Sequence, residues 1–71
     1  MPNIQSVKFK QNLMIILING IEHYFELEKV SSKLLNATSI QRNEYEISPA
    51  NYGIHWPLID EDISIKKLLE K

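Results

Sequence analysis

The chain has 71 residues, a net charge of −1 and no cysteine. That length allows a single domain, residues 1–71, with a thin core, and the missing thiols exclude a disulfide framework or a cysteine-based metal site. Apolar residues make up 44% and charged residues 24%, with both signs dispersed, which excludes a phosphate-gripping basic stripe and a polybasic membrane anchor.

Direct nucleic-acid contact is therefore disfavoured. The longest apolar run, Leu13 to Ile18, is far too short to span a bilayer. Met1-Pro2-Asn3 lacks the basic region and cleavage site of a secretory signal. A cytoplasmic protein without a cofactor is expected. Two histidines alone do not make a structural zinc site, so no metal is expected either.

Residues 4–10 read as a first strand, with Val7 and Phe9 on one face. Residues 12–18 are an Ile-rich apolar run short enough for a buried strand. Asn19-Gly20 follows, two residues that tolerate positive φ and mark a two-residue hairpin. The return strand runs from Ile21 to Leu27. A two-residue loop pairs Ile18 with Ile21, Ile16 with His23 and Met14 with Phe25, and opposed residues share a face. One face then carries Met14, Ile16, Ile18, Ile21, Phe25 and Leu27, the expected core. The other carries Leu13, Ile15 and Leu17 beside Glu22, Tyr24 and Glu26.

Ser31 can cap a helical turn through Leu35, with Val30 and Leu35 as a hydrophobic staple. Thr38-Ser39-Ile40-Gln41 matches a capping box and starts a second short helix to about Asn43. Tyr45 and Ile47 alternate with Glu44, Glu46 and Ser48 as in a strand. Ser48-Pro49-Ala50-Asn51 reads as a turn, with Pro49 fixing φ at its second position. Tyr52, Ile54 and Trp56 alternate with Gly53 and His55 in the partner strand, which Pro57 ends. Ser64 caps a last helix, with Ile63 and Leu68 at staple positions and Ile65, Leu68 and Leu69 as its buried stripe. Asp60, Glu61 and Asp62 precede that helix and Lys71 closes it, each where the helix dipole favours its charge. The fold class expected is α+β: a small antiparallel sheet of two hairpins, in the order β-β-β-α-α-β-β-α, with short helices on one face.

Two groups of residues are candidates for function. Asp60-Glu61-Asp62 is the densest charge cluster, but its spacing is not that of a calcium loop and consecutive carboxylates point apart. Solubility and favourable charge at a helix start explain it more simply. His55 faces away from Trp56, Ile54 and Tyr52, toward Asp60 or Asp62. Such an imidazole–carboxylate pair could do acid/base or metal-dependent chemistry, or could order the loop. No nucleophile–base–orienter motif accompanies it, which favours ordering and a protein that is not an enzyme. His23, among apolar neighbours, reads as a core or edge histidine. The second group is the mixed face of Leu13, Ile15, Leu17, Glu22, Tyr24 and Glu26. Apolar anchors with a charged rim suit a protein partner or self-association. The opposing expectation is that the C-terminal hairpin and helix fold over them.

Three stretches read together carry a resemblance: Asn19-Gly20 after an apolar strand; Leu34-Leu35-Asn36-Ala37-Thr38 followed by Gln41-Arg42; and Gly53-Ile54-His55-Trp56 leading to Asp60-Glu61-Asp62-Ile63-Ser64-Ile65 and Leu68-Leu69. The sequence resembles the bacterial family called domain of unknown function 2442 over nearly its whole length. The last stretch is the specific part. Some members have proline after the capping threonine, where this chain has Ser39. The resemblance implies a small α+β unit of two hairpins with helices, lacking the helix-turn-helix domain that some relatives add. It also implies a gene beside another small protein, in pairs that look like toxin–antitoxin modules. It supplies no catalytic residues. The functional expectation is a non-enzymatic interaction module, the antitoxin-like member of such a pair. A small enzyme using His55 with Asp60 or Asp62, or a nucleic-acid-associated regulator, is the alternative.

Overall fold

A computed structural model describes residues 3–70 of the chain. Met1-Pro2, expected to carry no secretory signal, and Lys71, the expected dipole partner, lie outside the described residues.

The α+β architecture has the expected order of strands, helices, strands and a closing helix. Its strands form two antiparallel sheets of three. The first joins β1 (Ile4–Lys10), β2 (Leu13–Ile18) and β3 (Ile21–Glu26), in that order. Helical turns α1 (Leu27–Val30), α2 (Ser32–Leu35) and α3 (Ser39–Asn43) follow. The second sheet joins β4 (Glu46–Ile47), β5 (Gly53–Trp56) and β6 (Glu61–Ser64), and α4 (Ile65–Leu69) closes the chain.

The β2–β3 hairpin has the expected register, with Ile18 opposite Ile21, Ile16 opposite His23 and Met14 opposite Phe25. Asn19 and Gly20 have φ of 52° and 81°, the mirror-image turn that matches strand twist. Polar side chains tie this tip to β1. Asn19 Oδ1 accepts from the Asn3 amide at 3.0 Å, and Gln5, at an irregularity of β1, accepts from the Gly20 amide at 2.6 Å.

The capping box of α3 is complete. Thr38 Oγ1 accepts from the Gln41 amide at 3.1 Å, and Gln41 Oε1 accepts from the Thr38 amide at 2.9 Å. Ser31 caps α2 by accepting from the Leu34 amide at 3.1 Å. Ser64 caps α4, with the Lys67 amide 3.4 Å from its hydroxyl.

One core fuses both sheets. Met14, Ile16 and Ile18 of β2 meet Ile54, Trp56, Ile63 and Ile65 from the C-terminal third, with Leu27 and Leu34 from the helices. Trp56 is fully buried, edge-on to Phe9 at 6.4 Å and tilted against Tyr45 at 6.3 Å. Its indole N–H donates to the Arg42 carbonyl at 3.0 Å, so the one polar atom of the ring is satisfied inside the core. Arg42 is the main brace between segments. Its guanidinium donates to the carbonyls of Leu34, Leu35 and Gln11 at 2.9, 3.0 and 2.7 Å, and lies 5.3 Å from the Phe9 ring centre.

Several expectations are corrected. Leu27 is buried, but as the first residue of α1 rather than the end of a strand. Ile21, placed in the core by alternation, is 63% exposed because it sits at the hairpin tip beyond the covering elements. Tyr52 does not share the core with Ile54 and Trp56. Its backbone is helical, with φ −67° and ψ −37°, which breaks the strand alternation and leaves the ring 76% exposed. Asp60, Glu61 and Asp62 do not lead into a helix. Asp60 closes the β5–β6 turn with φ 52°, and Glu61 and Asp62 begin β6, a strand that stands between the acids and the helix, which starts at Ile65 behind the expected Ser64 cap. Leu69 is half exposed rather than part of a buried stripe.

Candidate functional site

The outer face of the first sheet is built by strand pairing alone. Three rows run across it: Ser6–Leu17–Glu22, Lys8–Ile15–Tyr24 and Lys10–Leu13–Glu26. The inward neighbours in β2, Met14, Ile16 and Ile18, are buried. The C-terminal sheet packs on that inward side, within the common core, so it does not fold over Leu13, Ile15 and Leu17. These three are half-buried among their strand neighbours, and Tyr24 beside them is 59% exposed.

Charge is segregated on this face. Lys8 and Lys10 line the β1 side, and Glu22 and Glu26 line the β3 side. The Tyr24 hydroxyl donates to Glu22 Oε1 at 2.8 Å. That bond, and the repulsion a phenolate would feel from the carboxylate, raise the Tyr24 pKa above its ordinary value. Glu26 has Lys29 at 3.7 Å, one helical turn along the chain. The residues singled out from sequence, Leu13, Ile15, Leu17, Glu22, Tyr24 and Glu26, do share this surface. Sequence reasoning missed Lys8 and Lys10, whose alternation in β1 was the available signal.

On the second sheet, the outward row is Glu46–His55–Asp62. His55 Nδ1 lies 2.8 Å from Asp62 Oδ1, with side chains 36% and 77% exposed. A carboxylate oxygen can only accept, so Nδ1 is the donor in this contact. The three consecutive acids go three ways. Asp60 lies in the turn, where its carbonyl accepts from Lys33 Nζ at 3.0 Å. Glu61 turns inward and accepts the Ser31 hydroxyl, while its other oxygen takes the Asp62 amide at 3.1 Å. Asp62 alone meets His55. Among the described residues, no three His, Asp or Glu side chains gather closely enough to hold a metal ion.

A shallow depression of about 290 Å³ adjoins His55 and Asp62, with Ser48, Tyr52 and Ser64 on its rim. The Ser48 hydroxyl accepts from the Gly53 amide at 2.8 Å and so belongs to the turn. A more apolar groove of about 400 Å³ lies between Tyr52 and α4, lined also by Ala50, Ile65 and Leu69. Sequence reasoning missed it, because it arises from Tyr52 and Leu69 pointing out where strand alternation and the helical stripe, respectively, placed them in.

No helix among the described residues is long and apolar enough to cross a membrane. The fold is similar to a crystal structure of a protein of unknown function from Rhodospirillum rubrum. That similarity has a TM-score of 0.75 and 25% identity, covering 97% of this chain and 86% of the other. No curated protein matches the sequence. The geometry gives each of the quoted motifs a structural role in this chain. Gln41 completes a cap, Arg42 and Trp56 brace the core, Gly53 lets two strands close, and Glu61 holds the Ser31 cap. On a match over residues 4–71, the chain belongs to the family described as protein of unknown function (DUF2442).

Proposed function

We propose that this chain is a non-enzymatic protein-interaction module, the antitoxin-like member of a bacterial two-gene pair, acting in the cytoplasm. The observation that carries this reading is the outer face of the first sheet. There an apolar row, Leu13/Ile15/Leu17, lies beside an exposed Tyr24 between charged borders, and the fold's own core forms on the opposite side. Aromatic and aliphatic anchors inside a charged rim are the anatomy of a protein interface. The net charge of −1 supports a protein rather than a nucleic acid as the target.

Co-expression with the product of the adjacent reading frame tests this. A complex is expected to co-purify from wild-type cells, and Ile15→Glu is expected to lose the partner while keeping its far-UV circular dichroism. In the same strain, the module should relieve any growth defect its neighbour causes. Wild-type chain recovered without the neighbour's product would overturn the reading.

A second reading rests on the 2.8 Å His55–Asp62 contact, which orients an imidazole as in acid/base catalysis. Its location across two open strands, with the Ser48 hydroxyl committed to a backbone amide, supports an ordering role instead. His55→Gln would then lower stability slightly and leave partner binding intact.

A further inference from the structure

We infer that the outer face of the first sheet is self-complementary and that, without a heterologous partner, a second copy of this chain covers it through a two-fold axis parallel to β2. The inference rests on the interaction-module reading and names the occupant.

The case is made by the order of chemistry across the sheet. Reading from β1 to β3, the columns are basic, apolar and acidic: Lys8 and Lys10, then Leu17, Ile15 and Leu13, then Glu22 and Glu26 around Tyr24. Two lysines and two glutamates make the patch neutral. When two such faces stack, the direction of the two-fold axis decides which columns meet.

An axis along the strands places β1 of one copy over β3 of the other. Lys10 then meets Glu26 of the second copy, and Ser6 meets its Glu22. Lys8 lies over its Tyr24, where a cation over the ring is attractive. Leu13, Ile15 and Leu17 each meet their own counterparts on the axis. An axis across the strands places β1 over β1 and β3 over β3, setting lysine on lysine and Glu26 near Glu22. Like charges in register are destabilising, so only the first arrangement is complementary. It is an isologous contact in which the same patch serves both copies. It also keeps the strands of the two sheets nearly aligned, as in face-to-face sheet packing.

The size of the patch sets its strength. Three strands and five residues of strand length span roughly 10 by 15 Å, well under the ~800 Å² per partner typical of stable complexes. The association is therefore weak and concentration-dependent, and a tighter-binding partner would displace it.

Sedimentation equilibrium of the full chain over a wide concentration range tests the proposal, with charge reversals as the diagnostic. Wild type should shift from monomer toward dimer as concentration rises. Lys10→Glu and Glu26→Lys should each weaken association by about tenfold, because two contacts per dimer turn from attractive to repulsive. An equimolar mixture of the two variants should regain wild-type association, and so should the double variant K10E/E26K. Both residues are exposed, so the fold is kept, and circular dichroism checks that.

A wild-type monomer at every concentration would overturn the inference. So would a dimer indifferent to these reversals, or one that the mixture fails to rescue. Each of these outcomes leaves the interaction-module reading standing if the co-expressed partner is still captured through Ile15. Failure of that capture, with the reversal pattern intact, overturns the partner reading alone and leaves a homodimer.

Discussion

Gly53 and Ala50 show opposite relations between a residue and its backbone. At Gly53, β5 and β6 approach so closely that a Cβ would lie 2.5 Å from the Ile63 carbonyl oxygen. The obstacle is backbone, so it cannot swing aside. Gly53→Ala is expected to cost about 1–3 kcal/mol in urea denaturation, the range for forced overpacking. Gly20 has nothing within 4 Å of its would-be Cβ, so what it supplies is only its φ of 81°. Ala50 sits at the third position of the Ser48–Asn51 turn with φ 63° and ψ 14°, where glycine is preferred. The Asn51 amide closes that turn on the Ser48 carbonyl at 3.0 Å, and Asn51 Oδ1 holds the Ile4 amide at 3.0 Å. Tertiary contacts thus hold Ala50 in a left-handed conformation that costs an L-residue roughly 1–2 kcal/mol. Ala50→Gly is expected to raise the melting temperature, with part of the relief offset by the looser unfolded chain. A lower melting temperature would show that the alanine methyl is needed in the groove beside Tyr52.

Local chemistry made some elements legible and long-range chemistry hid others. The β2–β3 register and α3 depend on near neighbours: Asn19-Gly20 sets the turn, and Thr38 with Gln41 closes its own box. β6 was missed because Asp60-Glu61-Asp62 suggested a helix start, although Ile63 and Ile65 alternate with Asp62 and Ser64 as a strand should. Without β6, the pairing of His55 with Asp62 had no register to reveal it. Tyr52 was misplaced by an alternation that the helical residue itself interrupts. The role of Arg42 left no periodic trace, since its three acceptors come from two separate segments. That role can be tested against α3's own cap. Thr38→Ala removes one capping bond and is expected to cost about 1 kcal/mol. Arg42→Lys keeps the charge but not the planar fork that reaches Leu34, Leu35 and Gln11. It leaves the part-buried Leu35 carbonyl without its guanidinium donor, while the Leu34 carbonyl keeps the Ala37 amide at 3.2 Å, at a cost of roughly 1–3 kcal/mol. An Arg42→Lys variant as stable as wild type in urea titrations would mean that the guanidinium is dispensable as a brace.

A small sheet needs a covered apolar face to be stable, and here neither sheet carries a core of its own. The shared cluster alternates between them: Met14 and Ile16 from one, Ile54 and Trp56 from the other. Polar ties cross the same boundary. The Tyr45 hydroxyl accepts the Val7 amide at 3.3 Å, Asn51 accepts the Ile4 amide at 3.0 Å, and Glu61 holds the Ser31 cap. Opening either sheet therefore exposes the inner face of the other, so an intermediate that keeps half the core is not expected. Trp56, the single tryptophan, reports the second sheet, while far-UV circular dichroism is averaged over the whole backbone. Unfolding in urea at low protein concentration should give superimposable curves from the two probes, with one midpoint and one slope. A tryptophan transition displaced from the dichroism transition would mean that the sheets separate before they unfold. It would also place the first opening among the ties of the second sheet to the helices, the indole–Arg42 carbonyl bond and the Ser31–Glu61 bond among them. Ser31→Ala, which removes the hydroxyl that Glu61 accepts, should then move the fluorescence midpoint further than the dichroism midpoint, whereas in a single cooperative unit it moves both together.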